Sequence, residues 1–192
     1  MVPVFLYDFN SPYAYLAAAR IDEVVGEARW QPIAFAFVLV AHERMPWSLS
    51  EPTRTPGVAE CERRAREYGL PPLVWPPGWP KGSYTLDPLR AALFAEEHGA
   101  LREYSAAAFA RNFVTGVGLL GDAPIEVAEE VGLDPDATRA AIAGPMRERL
   151  KQVTEEAIAA GIHGVPTVTV AGEHFWGDDR LEAAATAQRA AR

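Results

Sequence analysis

Cysteine is nearly absent from this 192-residue sequence: Cys61 stands alone, so no disulfide can form within the chain. Apolar runs are short as well, none approaching the roughly 20 residues a membrane-crossing helix needs. No charged segment followed by an apolar export signal precedes Val4, and a cytoplasmic location is the expectation. Positive charge is in deficit, with 18 Lys and Arg against 26 Asp and Glu and a net charge of −8. That balance argues against a nucleic-acid or anionic-membrane surface, each of which needs clustered Lys and Arg. The four histidines are scattered, which leaves neither a Ser-His-Asp set nor a metal site to expect. Internal repeats and low-complexity segments are missing too. What remains is 49% apolar and 23% charged residues, enough for one substantial core in a single compact unit that handles small molecules.

Val2 to Phe9 reads as an apolar strand that ends at Asn10-Ser11-Pro12-Tyr13, where a helical pattern through Tyr15, Leu16, Ala19 and Ile21 begins. Ala28 to Val40 alternates weakly and then becomes continuously apolar, which predicts a buried strand completing a strand-helix-strand unit. His42 to Pro56 is polar and proline-bearing and reads as a loop. A charged helix over Gly57 to Tyr68 ends at Gly69-Leu70-Pro71-Pro72 because proline lacks the amide proton and disfavours a helical residue before it. Leu73 to Lys81 sets Trp75 and Trp79 among prolines and predicts an extended wall that lines a pocket. Helices follow over Asp87–His98, Arg102–Val114, Pro124–Val131, Asp136–Ala143 and Met146–Ala160. Gly164-Val165-Pro166-Thr167 then leads into a strand over Val168–Ala171, a turn at Gly172-Glu173, His174-Phe175-Trp176 and a last helix from Asp178. Its alanine-rich end from Ala183 is expected to fray.

Taken together, F-x-S-P-Y at Phe9–Tyr13 and G-V-P-T with F-W-G-x-D-R at Gly164–Arg180 resemble the 2-hydroxychromene-2-carboxylate isomerase and kappa-class glutathione transferase group of the thioredoxin-like superfamily. The roughly 150 residues between the motifs are a trait of that group, so the resemblance spans nearly the whole chain. It implies an α/β thioredoxin-like fold with an all-helical insertion between the two halves of the sheet. Residues 1–40 and 162–192 would form the thioredoxin-like domain, and residues 41–161 the connecting loop and helical insertion.

In such a fold Ser11 occupies the place of a reactive cysteine, and Ser11 and Ala14 replace both cysteines of C-x-x-C, which disfavours disulfide chemistry. A serine hydroxyl at a helix start can donate to a thiolate brought by another molecule. The same serine, followed by Pro12, also fits an ordinary helix cap. The resemblance implies glutathione, or another low-molecular-weight thiol, as cofactor. Val165, ahead of Pro166 in a cis-proline loop, would pair its backbone with the cysteine part of the thiol. Asp179 would take the γ-glutamyl ammonium, the backbone at Asp178 would lie near the adjoining carboxylate, and Arg180 would reach the thiol of a neighbouring subunit in a homodimer. Relatives often carry an uncharged residue at the place of Asp178, an asparagine and a basic residue near Arg44-Met45-Pro46-Trp47, and Asn-Ser at Tyr84-Thr85.

On the substrate side the candidates are Asn10, Arg44, Trp75, Trp79, Tyr84 and His163. Asparagine at a turn and aromatics in a core are equally ordinary. Cys61, distant in sequence from Ser11, reads as a bystander. The activity implied is glutathione-dependent cis-trans isomerisation of an aromatic 2-hydroxychromene-2-carboxylate type substrate. Conjugation of glutathione to an electrophile, or a silent thioredoxin-like binding module, are the alternatives.

Overall fold

A computed structural model describes residues 2–191. Four short strands, β1 (Val4–Tyr7), β2 (Arg29–Pro32), β3 (Thr167–Val170) and β4 (Glu173–Trp176), form one sheet in the order β2-β1-β3-β4. β1 runs parallel to β2, with Phe5 opposite Trp30, and antiparallel to β3, with Leu6 opposite Thr167. The crossover from β1 to β2 is made by α1 (Pro12–Ala18) and α2 (Ile21–Val24). Between β2 and β3 the chain contributes only helices: α3 (Phe35–Ala41), α4 (Glu51–Glu67), α5 (Leu86–Glu97), α6 (Leu101–Phe113), α7 (Ala123–Glu130), α8 (Pro135–Ala143) and α9 (Met146–Ala159). α10 (Leu181–Ala190) closes the chain against the sheet. This is a mixed sheet with a large helical insertion between its halves, the thioredoxin-like arrangement that the terminal motifs imply.

Alternation along the first strand builds the core. Phe5, Tyr7 and Phe9 project to one side and are fully buried. Phe5 stacks on Tyr7 at 5.3 Å, and Phe9 meets Phe109 of α6 edge-on at 5.0 Å. The Tyr7 hydroxyl bonds the Ser105 hydroxyl at 2.5 Å, and Asn112 Nδ2 donates to the Phe9 carbonyl at 2.9 Å. Those two bonds matter for the site because they fix the end of β1, and hence Ser11, to α6. Asp8 does the same for α3: its buried carboxylate accepts from the Asn10 and Phe35 amides, each at 2.9 Å.

Four local expectations differ from the fold. The apolar run after Ala28 is split: β2 stops at Pro32, and Phe35–Ala41 is helical with Val38 and Leu39 inward and Phe37 and Val40 outward. Continuous apolarity does not distinguish a buried strand from a helix, and proline at the strand end decides the break. Within His42–Pro56 a short 3-10 turn, Trp47–Leu49, precedes α4, which starts at Glu51 with Pro52 in its first turn. Leu73–Lys81 is irregular and then turning, without a regular extended run. The alanine-rich end is helix through Ala190, held by burial of Leu181, Ala184, Ala185 and Gln188.

Candidate active site

Ser11 caps α1, its Oγ accepting from the Ala14 amide at 3.2 Å, with Pro12 in the first turn. Because that amide occupies one lone pair, the hydroxyl proton stays free to be donated elsewhere. α1 has only seven residues, so the hydroxyl donor rather than a long helix dipole is the chemical feature here. Ser11 is 7% exposed, and that exposure opens onto two adjoining cavities.

The first cavity, about 590 Å³, is the polar one. Tyr13, Arg64, Val165, Pro166, Asp178 and Asp179 line it with Ser11. The Val165–Pro166 peptide is cis, and neither the N–H nor the C=O of Val165 is bonded within the described residues. Gly177, at φ 119°, donates its amide to the Pro166 carbonyl at 2.9 Å and so brings the Asp178–Asp179 turn beside the proline loop. A Cβ at Gly164 would lie 2.6 Å from the Trp176 indole, so only glycine lets that ring lie over the loop. Arg44 meets the other face of this corner: its guanidinium sits 4.7 Å from the Trp176 ring and Nη1 donates to the His163 carbonyl at 2.9 Å.

The two aspartates differ. Asp178 is 1% exposed, and its carboxylate is taken by Arg64 Nη1 at 2.7 Å and the Tyr68 hydroxyl at 3.0 Å. Burial pushes its carboxyl up, against the pull of Arg64 and Tyr68. Asp179 is exposed at the cavity edge, its Oδ2 3.5 Å from Arg64 Nη1. Burial opposes the Arg64 charge, but the Glu60 bond and the attraction of Asp178 and Asp179 hold that guanidinium above its ordinary value. Beneath Tyr13, Cys61 is fully buried against the phenol; burial pushes the thiol up to about 12 and raises the Tyr13 hydroxyl as well.

The second cavity, about 440 Å³, is walled by Phe35, Phe37, Trp47, Trp79, Pro80 and Tyr84, with Asp8 and Asn10 also lining it. Trp47 stands between the cavities, 5.8 Å from the rings of both Tyr13 and Trp79. Trp79 donates Nε1 to the Asn10 carbonyl at 3.3 Å, while Asn10 Oδ1 is buried without a partner. Burial raises the Asp8 carboxyl against the two amides it accepts from.

The fold therefore gathers Ser11, Asn10, Arg44, Trp79, Tyr84, Val165, Pro166, Asp178 and Asp179 around the paired cavities. Trp75 does not line them; it packs behind Trp79 at 4.4 Å and donates to Glu62. His163 is exposed and packs tilted against His42, ring centres 4.2 Å apart, and Arg180 is exposed outside both cavities. Asp8, Tyr13, Phe35, Trp47, Arg64 and Tyr68 were not legible as site residues. Arg64, in the last turn of α4, and Tyr68, its C-terminal cap, stand at i, i+4 spacing, but a charged helix carries that pattern on any solvated face.

Comparison with known proteins identifies the family to which this fold belongs. The family model of the DSBA-like thioredoxin domain matches residues 3–188. A 2-hydroxychromene-2-carboxylate isomerase of Sphingobium xenophagum is 28% identical over 188 residues, covering 93% of each chain. Another, of Pseudomonas putida, is 29% identical over 194 residues, covering 94% of this chain and 91% of its own. A solved 2-hydroxychromene-2-carboxylate isomerase superposes with a TM-score of 0.87 at 25% identity, covering 100% of this chain and 96% of the other. A probable DsbA oxidoreductase from Streptomyces coelicolor shares the fold, with a TM-score of 0.77 at 18% identity, covering 100% of this chain and 89% of its own. With its single cysteine inside α4 and a serine at the head of α1, the chain belongs to the DSBA-like thioredoxin family and groups within it with the 2-hydroxychromene-2-carboxylate isomerases.

Proposed function

We propose that this chain is a glutathione-dependent cis-trans isomerase of aromatic substrates of the 2-hydroxychromene-2-carboxylate type. The observation that carries the reading is the position of Ser11, whose uncommitted O–H stands where a polar and an aromatic-walled cavity meet. The names of the curated relatives supply the substrate class.

The polar cavity fits a peptide-like thiol. Val165 offers an unpaired N–H and C=O, the pattern by which an extended peptide adds to a sheet edge. Asp179 offers an exposed carboxylate, only loosely paired with Arg64 at 3.5 Å, to an ammonium group. When bound, the thiol supplies a thiolate that adds to a conjugated carbon, so that the double bond loses its order, rotates and is restored on elimination without net redox change. Ser11 donates its proton as a hydrogen bond toward the sulfur and favours its charged form, a contribution of roughly 1.5–3 kcal/mol for a bond to a charged group. Trp47, Trp79 and Phe35 hold a flat substrate against that sulfur and keep water from it. A homodimer in which Arg180 reaches the neighbouring thiol site belongs to the same reading, and sedimentation of wild type against Arg180→Ala tests it.

The experiment is a titration of glutathione into wild type and Ser11→Ala, following heat and thiolate absorbance together, then turnover of a benzylidenepyruvate-type substrate with mass analysis of the product. A Ser11-dependent thiolate signal and a product isomeric with its substrate are expected. A product that retains sulfur makes the chain a transferase, and absence of glutathione binding overturns the thiol reading.

A further inference from the structure

We infer that Arg64 and Asp179 form a cradle for a zwitterion, in which Arg64 receives the α-carboxylate of the thiol's γ-glutamyl end while Asp179 takes its ammonium group. The inference rests on the reading of the polar cavity as a thiol site and adds a residue that determines which thiol is accepted.

Three observations lead there. First, Asp178 contributes no free anion to the cavity: its carboxylate is buried and engaged by Arg64 Nη1 at 2.7 Å and Tyr68 at 3.0 Å, and its carbonyl accepts from Arg20 at 3.4 Å. A second acid beside Asp179, which would repel a ligand carboxylate, is thereby neutralised. Second, Arg64 is not exhausted by this pairing. Nε donates to Glu60 at 2.7 Å and Nη1 to Asp178, while Nη2 donates to none of the described residues. The side chain is 19% exposed and lines the cavity, so the N–H groups of Nη2 are the ones left for a ligand there. A planar guanidinium bound along one edge keeps its remaining N–H groups in a fixed direction, which suits it to a carboxylate. Third, Asp179 Oδ2 lies 3.5 Å from Arg64 Nη1, so anion and cation are presented side by side. An α-amino acid carries its ammonium and carboxylate on one carbon and matches that spacing; an isolated anion or cation matches half of it.

The test uses two thiols that differ only in the α-carboxylate: glutathione, and 4-aminobutyryl-cysteinyl-glycine, which lacks it. Calorimetry compares both on wild type, Arg64→Met, Arg64→Lys and the double variant Arg64→Met/Asp178→Asn. The double variant removes the buried carboxylate that Arg64→Met alone would leave uncompensated, and a melting curve establishes that it folds. Wild type should prefer glutathione by about 10-fold or more, the net worth of a charged hydrogen bond. The double variant should bind the two thiols alike, and Arg64→Lys should keep part of the preference. Equal weakening of both thiols with the preference intact would show that Arg64 only supports the fold of the site and would overturn the inference. Equal binding of both by wild type overturns it while leaving the thiol site standing. Binding of neither overturns the thiol site and the cradle together.

Discussion

The polar and the apolar cavity share Ser11, Phe35, Leu39 and the Arg44–Trp47 segment, yet they are built by opposite means. The polar side is assembled from distant parts of the chain. The proline loop before β3, the turn after β4 and the charged face of α4 meet there, and hydrogen bonds and a buried ion pair hold them together. The apolar side is made largely by α3 and the Trp47 turn, which follow one another, and by the Trp79–Tyr84 turn from beyond α4, with aromatic packing as the binding force. On the proposed function, directional bonds would give the first its selectivity for charge and backbone pattern. On the same reading, nondirectional contact would make the second tolerant of substrate shape.

If the two sides are separable, substitutions should sort by cavity, and only residues that line both, Ser11 foremost, should affect both. Ser11→Ala is expected to have the largest effect, a fall of about 10- to 100-fold in isomerisation rate in steady-state kinetics. It should also lower stability by about 1 kcal/mol in denaturant titration, because the Ala14 amide loses its cap. Asp179→Asn should weaken glutathione binding by about fivefold in calorimetry, the upper range for an exposed charge pair, with the substrate KM unchanged. A matching rise in that KM would mean that the cavities are coupled. Phe37→Ala is the converse. Phe37 lines only the apolar cavity and is 48% exposed, so its loss should raise the aromatic-substrate KM by about three- to fivefold and leave glutathione affinity alone.

The smallest effect is expected beneath the polar cavity, at Cys61. Its thiol is held up to about 12 by burial, above its unfolded value, so the folded state keeps a proton that the unfolded chain releases near pH 9. The sign follows: this contribution to stability is whole below about pH 9 and is lost as pH rises toward 12. Denaturation curves across that range should fall less steeply for Cys61→Ala than for wild type. Native protein at pH 8 should also resist a thiol-alkylating reagent, and rapid labelling would show that α4 opens away from Tyr13.

How far each side was legible follows the same division. Ser11, Val165, Pro166 and Asp179 stand in short motifs with a local signature: a serine-proline at a strand end, a proline before a strand, acids opening a helix. Trp79 was legible through its proline-rich surroundings. Trp75 shares those surroundings but packs behind Trp79, because a local composition does not say which indole faces inward. His163 precedes the proline loop and is exposed for the same reason. Asp178 looked like a free charge until its partners, Arg64 and Tyr68, came from a helix 110 to 114 residues earlier in the chain.

By itself, then, the sequence determined the elements whose causes are local: the apolar first strand that buries Phe5, Tyr7 and Phe9, the cap at Ser11, the glycine-proline break that ends α4, and the five helices from α5 to α9. It also determined the absence of a disulfide pair. Tertiary structure decided that the run after β2 coils into α3 and supplies an aromatic wall. It also decided that Trp47 divides one opening into two, and that Arg64 crosses to Asp178 and alters the charge of the site. Those outcomes depend on which surfaces are buried together, and burial sets both the packing of an aromatic ring and the strength of an ion pair. Neither is a property of any segment until the segments meet.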